Sequence, residues 1–155
     1  MCSFTITNKL VDLETTNYWN QKRGPEVNGV KFLHNLLHIT GDITKQPIRD
    51  GDVVCVLNGE IYNYTDFGSY TSDAQCLIPL YKEYGLEFGK MLDGEFAIAI
   101  IDFENDKLIM VNDTFATKPL WFQKDDNRFT ISSYQSSIQL SGYERGMKLR
   151  GNSGL

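Results

Sequence analysis

Residues Leu92–Asp113 read LDGEFAIAIIDFENDKLIMVND. Phe96 to Asp102 is apolar up to its closing Asp, which predicts a strand covered on both faces. The segment 104–107 (ENDK) supplies a polar turn, and Leu108 to Asp113 returns as the partner strand. The pattern repeats downstream, where PLWFQ (119–123) and RFTISS (128–133) flank the turn KDDN (124–127). Upstream, VVCVLN (53–58) is a short β-branched run and a further buried strand.

Helices are fewer. The stretch 72–85 (SDAQCLIPLYKEYG) opens with a capping-box pattern, Ser72 followed by Gln75. Leu77, Leu80, Tyr81 and Tyr84 follow at helical spacing, and Gly85 stands where a C-cap belongs. Pro79 predicts a kink, or a break into two pieces. Asp12 to Lys22 is read as a further helix. Several hairpins with a few helices predict an α+β fold, with helices covering sheet faces.

The chain has 155 residues, the size of one domain, with an expected core over about 2–140 and a polar, frayed tail over about 146–155. A net charge of −5 with scattered acidic residues argues against nucleic acid as a partner. Neither a signal peptide nor an apolar run of about 20 residues is visible, so the expected location is cytoplasmic, or a phage particle assembled there. The cysteines Cys2, Cys55 and Cys76 are odd in number and lack CxxC spacing, which excludes a disulfide framework or a zinc site. Cys55 reads as inert core and Cys76 as structural. His34 and His38 have H-x-x-x-H spacing, but a strand reading with both on one face is preferred to a metal site.

Two places carry chemistry. Cys2 is either a small buried strand residue or a nucleophile exposed by loss of Met1. LNGEIYNY (57–64) reads as the end of a buried strand turning through Gly59. Gly59 lets backbone approach a ligand and present an N–H, and Asn58 offers an amide donor beside it, as an oxyanion hole requires. Glu60 would then take a cation. The alternative is a plain turn in which Asn and Gly satisfy local geometry.

MCSF, RGPE (23–26), LHNLLHI with QPI after it, NGEIYNY, TSDAQ (71–75), LDGEFAIAIID and VNDTFATKPLWF (111–122) occur in one order. This order resembles the glutaminase domain of asparagine synthetases, a class II glutamine amidotransferase of the N-terminal-nucleophile kind. The resemblance spans about Cys2 to Ser133. It implies a four-layer αββα sandwich of two antiparallel sheets, and no cofactor or metal. It implies a Cys2 thiol that attacks the side-chain amide of glutamine, with the Cys2 α-amine as base. An α-amine has an ordinary pKa near 8, suited to a base at neutral pH. Asn58 and Gly59 would hold the oxyanion. Glu60 and Asp73 would hold the substrate ammonium, with Arg23 bracing the loop beside the cysteine and Ile39 lining the substrate site.

The pattern departs from the family at several positions. The arginine that clamps the substrate carboxylate falls, by ungapped count, at Asn35, with Arg49 or Arg23 as substitutes. Ser3, Glu26, Gln75, Asn112, Ala116 and Tyr134 replace other family residues. The expected function is therefore a standalone glutaminase supplying ammonia to a separate synthetase subunit or larger assembly. The alternative is the same fold kept as a degenerate binding or structural module. No Gly-rich phosphate loop, and hence no synthetase domain, is expected.

Overall fold

A computed structural model describes residues 2–9, 23–35 and 42–151. Among these residues, ten strands form two antiparallel sheets. The six-stranded sheet has the order β10-β8-β9-β1-β3-β2, with β1 Ser3–Thr7, β2 Arg23–Val27, β3 Val30–Asn35, β8 Trp121–Asp125, β9 Arg128–Ser132 and β10 Met147–Lys148. The four-stranded sheet runs β4-β5-β6-β7, with β4 Ile48–Asp50, β5 Val53–Ile61, β6 Gly94–Asp102 and β7 Lys107–Asn112.

Side-chain alternation sorts the residues into layers. Phe4, Ile6, Val30, Phe32 and Ile131 of the larger sheet meet Val54, Val56, Ala97, Ala99 and Ile101 of the smaller one in a core between the sheets. The other face of the smaller sheet presents Val53, Cys55, Leu57, Ile98 and Ile100 to the helix α1 (Leu77–Tyr84), which buries Leu77, Ile78, Leu80 and Tyr81. β6 is thus apolar on both faces because it is covered on both, as its sequence predicts. A second helix, α2 (Gln135–Leu140), packs over β8 and β9. The helix–sheet–sheet–helix order is the expected αββα sandwich.

On the outer face of the larger sheet, β1 and β9 carry hydroxyls. Thr5 bonds Ser132 at 2.7 Å and Thr7 bonds Thr130 at 2.9 Å, both buried. Cross-strand hydroxyl pairs of this kind satisfy each other and leave no polar group stranded.

Several expectations need correction. Gly59 makes no turn: β5 runs on to Ile61 and stays paired with β6 as far as Gly94. Gly59 has φ +128, and a Cβ there would run into the Glu95 carbonyl oxygen. Its lack of a side chain allows a close strand approach, not a reversal. The capping box does not form. Asp73–Cys76 is a 3₁₀ turn in which Ser72 makes no side-chain cap, and Gln75 Oε1 accepts from Thr71 N at 3.2 Å. The break falls before Leu77, which puts Pro79 in the first turn of α1, where a missing N–H is harmless. Gly85 does close α1, with φ +58 and its N–H on Tyr81 O. Met147–Lys148, within the expected tail, pair with Trp121 and Phe122, and Leu149 N donates to Leu120 O at 2.8 Å. The predicted helix over 12–22, together with Ile39 and His38, lies outside the described residues. No helix among the described residues is long and apolar enough to cross a membrane.

Candidate active site

β4 is short and pairs only with Val53–Cys55, so beyond Cys55 one edge of β5 has no strand beside it among the described residues. The backbone groups of alternate residues face that edge. Leu57 faces it, because its N–H is accepted by Gln46 Oε1 at 2.6 Å and its carbonyl accepts from His34 Nε2 at 3.2 Å. Ile61 faces it as well, with its N–H on Asp73 Oδ2 at 3.0 Å. Gly59 lies between them, with the same parity. On the other side, its pairing neighbour Phe96 donates to Asp113 Oδ2 at 3.1 Å and accepts from Asp113 N at 3.0 Å, so it is turned away from Gly59. Among the described residues, Gly59 N–H has no acceptor. It is a preorganised donor with its two neighbours along the edge already engaged.

Asn58 has the opposite side-chain parity from Leu57 and points between the sheets, where it is 2% exposed. His34 is directly opposite Phe4 in the β1–β3 pair and so shares its inner face. Burial holds the His34 pKa below the ordinary 6.5, and the bond to Leu57 only partly offsets this. The ring is neutral and donates through Nε2. The bond joins the two sheets beside Asn58. Cys2 is half-buried and immediately precedes β1, in the alternation that turns Phe4 and Ile6 inward. The chain start, His34 and the Leu57–Gly59 edge therefore meet at one end of the inter-sheet core.

Around the end of β5, Glu60, Ile61, Tyr62, Tyr64 and Asp73 line an open cavity of about 240 Å³. Asp73 is anchored by two backbone donors, Ile61 N and, at 2.8 Å, Ala74 N. It starts the 3₁₀ turn and it faces the cavity. Glu60 is opposite Glu95 on β6, and Lys118 reaches Glu95 at 3.7 Å. Partial desolvation and the surrounding Glu95, Glu60, Asp93 and Asp113 raise the Tyr62 hydroxyl pKa. This corner has a negative potential, suited to a cation. Asn58 does not line this cavity. It lies two residues away along β5, on the inner face.

Asp113 is the hub of the loop after β7. Burial alone would raise its pKa, but bonds from Thr117, Phe96 and Phe115 outweigh that and lower it. Ala116 in this loop has φ +50, a left-handed conformation.

Asn35 is not placed as expected. It is opposite Ser3, whose outward parity it shares, and its Nδ2 donates to Ser3 Oγ at 3.3 Å. A residue on the outer face of the larger sheet is not positioned to clamp a substrate beside Gly59. Arg49 is no substitute: it sits opposite Val54, near the other end of β5, and its Nε donates to Gly51 O at 2.9 Å. Arg23 opens β2 opposite Leu33. Cys55 and Cys76 are buried, and burial raises both thiols, Cys76 to about 12, which makes them inert. The positioning roles of His34 and Gln46 were not read from the sequence. Their only signal was a histidine and a glutamine of no assigned role inside motifs otherwise used.

A family model described as a glutamine amidotransferase domain matches residues 34–139. The chain belongs to this family. Among curated relatives, a Methanocaldococcus jannaschii protein named as a glutamine-hydrolysing asparagine synthetase is 33% identical over 137 residues, covering 78% of this chain and 25% of that one. A Gibberella zeae protein named amidase chry2 is 30% identical over 154 residues, covering 86% and 23%. The chain thus spans about a quarter of the length of these relatives. In solved structures, the glutamine phosphoribosylpyrophosphate amidotransferase of Bacillus subtilis superposes with a TM-score of 0.62 at 18% identity, covering 96% of this chain and 39% of that one. That likeness concerns the fold, and it agrees with the two-sheet amidotransferase architecture described above.

Proposed function

We propose that this amidotransferase domain hydrolyses the side-chain amide of glutamine, with Cys2 as nucleophile once Met1 is removed. The observation that carries the reading is the open edge of β5: Leu57 and Ile61 are engaged, and Gly59 N–H is left for an oxyanion, next to Asn58 and the chain start.

The α-amine of Cys2 takes the thiol proton, and the thiolate attacks the amide carbon. The carbonyl oxygen becomes an oxyanion held by Gly59 N–H and the Asn58 amide. Collapse breaks the carbon–nitrogen bond. The α-ammonium returns its proton to the leaving nitrogen, and ammonia departs from a thioester. Water, deprotonated by the same amine, attacks that thioester, frees the thiol and leaves glutamate. One residue thus supplies nucleophile and base. Glu60 and Asp73 hold the substrate ammonium in the cavity at the end of β5. No metal or cofactor enters the scheme.

The domain acts as a single unit over 1–155. The ammonia it frees goes to an acceptor enzyme of the synthetase kind, on the same chain or another. Two fungal relatives named amidases, chry2 and chyE, make a second amide conceivable as substrate, and side-by-side turnover of glutamine and asparagine decides between them. The direct test is intact mass followed by glutamate and ammonia release. Met1-free protein is expected to turn over glutamine, and Cys2→Ala is expected to abolish this. Absence of turnover in Met1-free, folded protein refutes the proposal.

A further inference from the structure

Two buried amide oxygens, Asn58 Oδ1 and Asn112 Oδ1, have no hydrogen-bond partner among the described residues. They are not scattered. Asn58 is opposite Ala97 on β6, and Ala97 is opposite Asn112 on β7. Residues directly opposite in adjacent strands share a face, so the two asparagines flank Ala97 on the inner side of the sheet. Ala97 is fully buried, and its methyl is the smallest side chain of that row. Asn112 Nδ2 is engaged with Lys118 O at 3.0 Å, which fixes which end of that amide is oxygen.

A buried acceptor without a donor costs about 1–3 kcal/mol, and two side by side call for a shared explanation. Strands are about 4.8 Å apart, so the two asparagine backbones stand roughly 10 Å apart, with their side chains extending over Ala97 between them. A single molecule with two donors fits this need, each bond being about 2.8 Å. We infer that Asn58 and Asn112 bind one buried water over Ala97, each amide oxygen accepting one of its hydrogens. The inference deepens the proposed function, on which its catalytic meaning rests. With its oxygen tied to this water, Asn58 has its amide nitrogen oriented for the oxyanion. Asn112 is then a positioning residue that acts through the water.

The test has two arms. A crystal structure of the full chain, at a resolution that places waters, is expected to show a density peak within hydrogen-bond distance of both oxygens. An empty slot overturns the inference. So does rotation of either amide onto a protein donor, or the Cys2 α-amine on Asn58 Oδ1 in Met1-free protein. In the kinetic arm, Asn112→Leu is expected to lose the peak and lower kcat on the order of tenfold, less than loss of an oxyanion donor itself. KM should stay within about twofold, since the water does not touch the ammonium cavity. Ala97→Ser, which places a hydroxyl in the same slot and keeps both asparagines, is expected to displace the water and to keep kcat near wild type, its single O–H donating to Asn58 Oδ1 in the water's place. A normal kcat in folded Asn112→Leu overturns the positioning role. A peak in a protein that never turns over glutamine refutes the proposed function and leaves the water site standing. Turnover without a peak does the reverse.

Discussion

Asp73→Asn separates two roles that one carboxylate performs. Its oxygens accept from Ile61 N at 3.0 Å and Ala74 N at 2.8 Å, and the same group faces the cavity with Glu60. An asparagine has one acceptor oxygen, so it keeps one of the two backbone bonds and strands the other N–H. Hydrogen bonds to charged groups are worth about 1.5–3 kcal/mol. The site is half-buried, so the stability loss should fall near the lower end, about 1.5 kcal/mol. Removing one of two carboxylates from the ammonium should cost a similar 1.5–3 kcal/mol of substrate binding. At 1.4 kcal/mol per tenfold, KM for glutamine should rise about 10- to 150-fold. kcat should change much less, because the ammonium is remote from the reacting carbon. The assays are glutamate release from Met1-free protein across substrate concentrations, and urea unfolding. Glu60→Gln is the control: no backbone bond depends on Glu60, so KM should rise with stability nearly unchanged. A KM for Asp73→Asn within twofold of wild type, or a fall in kcat alone, would refute the placement of the ammonium in this cavity.

Three further outcomes follow from the same geometry. Gly59→Ala puts a methyl against the Glu95 carbonyl at φ +128, so it should destabilise by about 3 kcal/mol or more and yield little soluble protein, read by expression and thermal melting. Ala116→Gly removes a left-handed alanine at φ +50. Relief of about 1–2 kcal/mol, less about 0.5–1 for added unfolded-state entropy, leaves about 0–1.5 kcal/mol and should raise Tm by up to about 6 °C, and a lowered Tm contradicts the strain. His34 has its pKa lowered from 6.5 in the fold, so the unfolded chain binds the extra proton, and stability is full above pH 6.5 and lost below it. The slope from this group is at most about 1.4 kcal/mol per pH unit, and His34→Gln should flatten it in urea titrations between pH 7 and 5; an unchanged slope contradicts a buried neutral His34.

The strands were legible because each obeys a local rule. β6 is apolar throughout since both of its faces are covered, and the turns after β6 and β8 are polar and short. Motif order singled out Asn58, Gly59, Glu60 and Asp73 as candidates, and they fall along one strand and the turn beside it. What failed has a common cause. Gly59 was assigned a turn because glycine's local meaning is ambiguous: the reason it is glycine is a carbonyl on β6, 36 positions later in the chain. The family's clamp position was counted along the chain to Asn35, yet a strand puts adjacent residues on opposite faces, and one step separates inward His34 from outward Asn35. His34 and Gln46 escaped notice for the same reason. Their bonds to the two backbone groups of Leu57 span 23 and 11 residues, and no periodicity encodes them. Yet these bonds define the edge on which Gly59 is the remaining donor. The site is therefore read best from the backbone outward: the open edge of β5 exposes the donors, Gln46 and Asp73 take the flanking two, His34 donates to the carbonyl between them, and the proposed nucleophile is needed only where the unclaimed donor points.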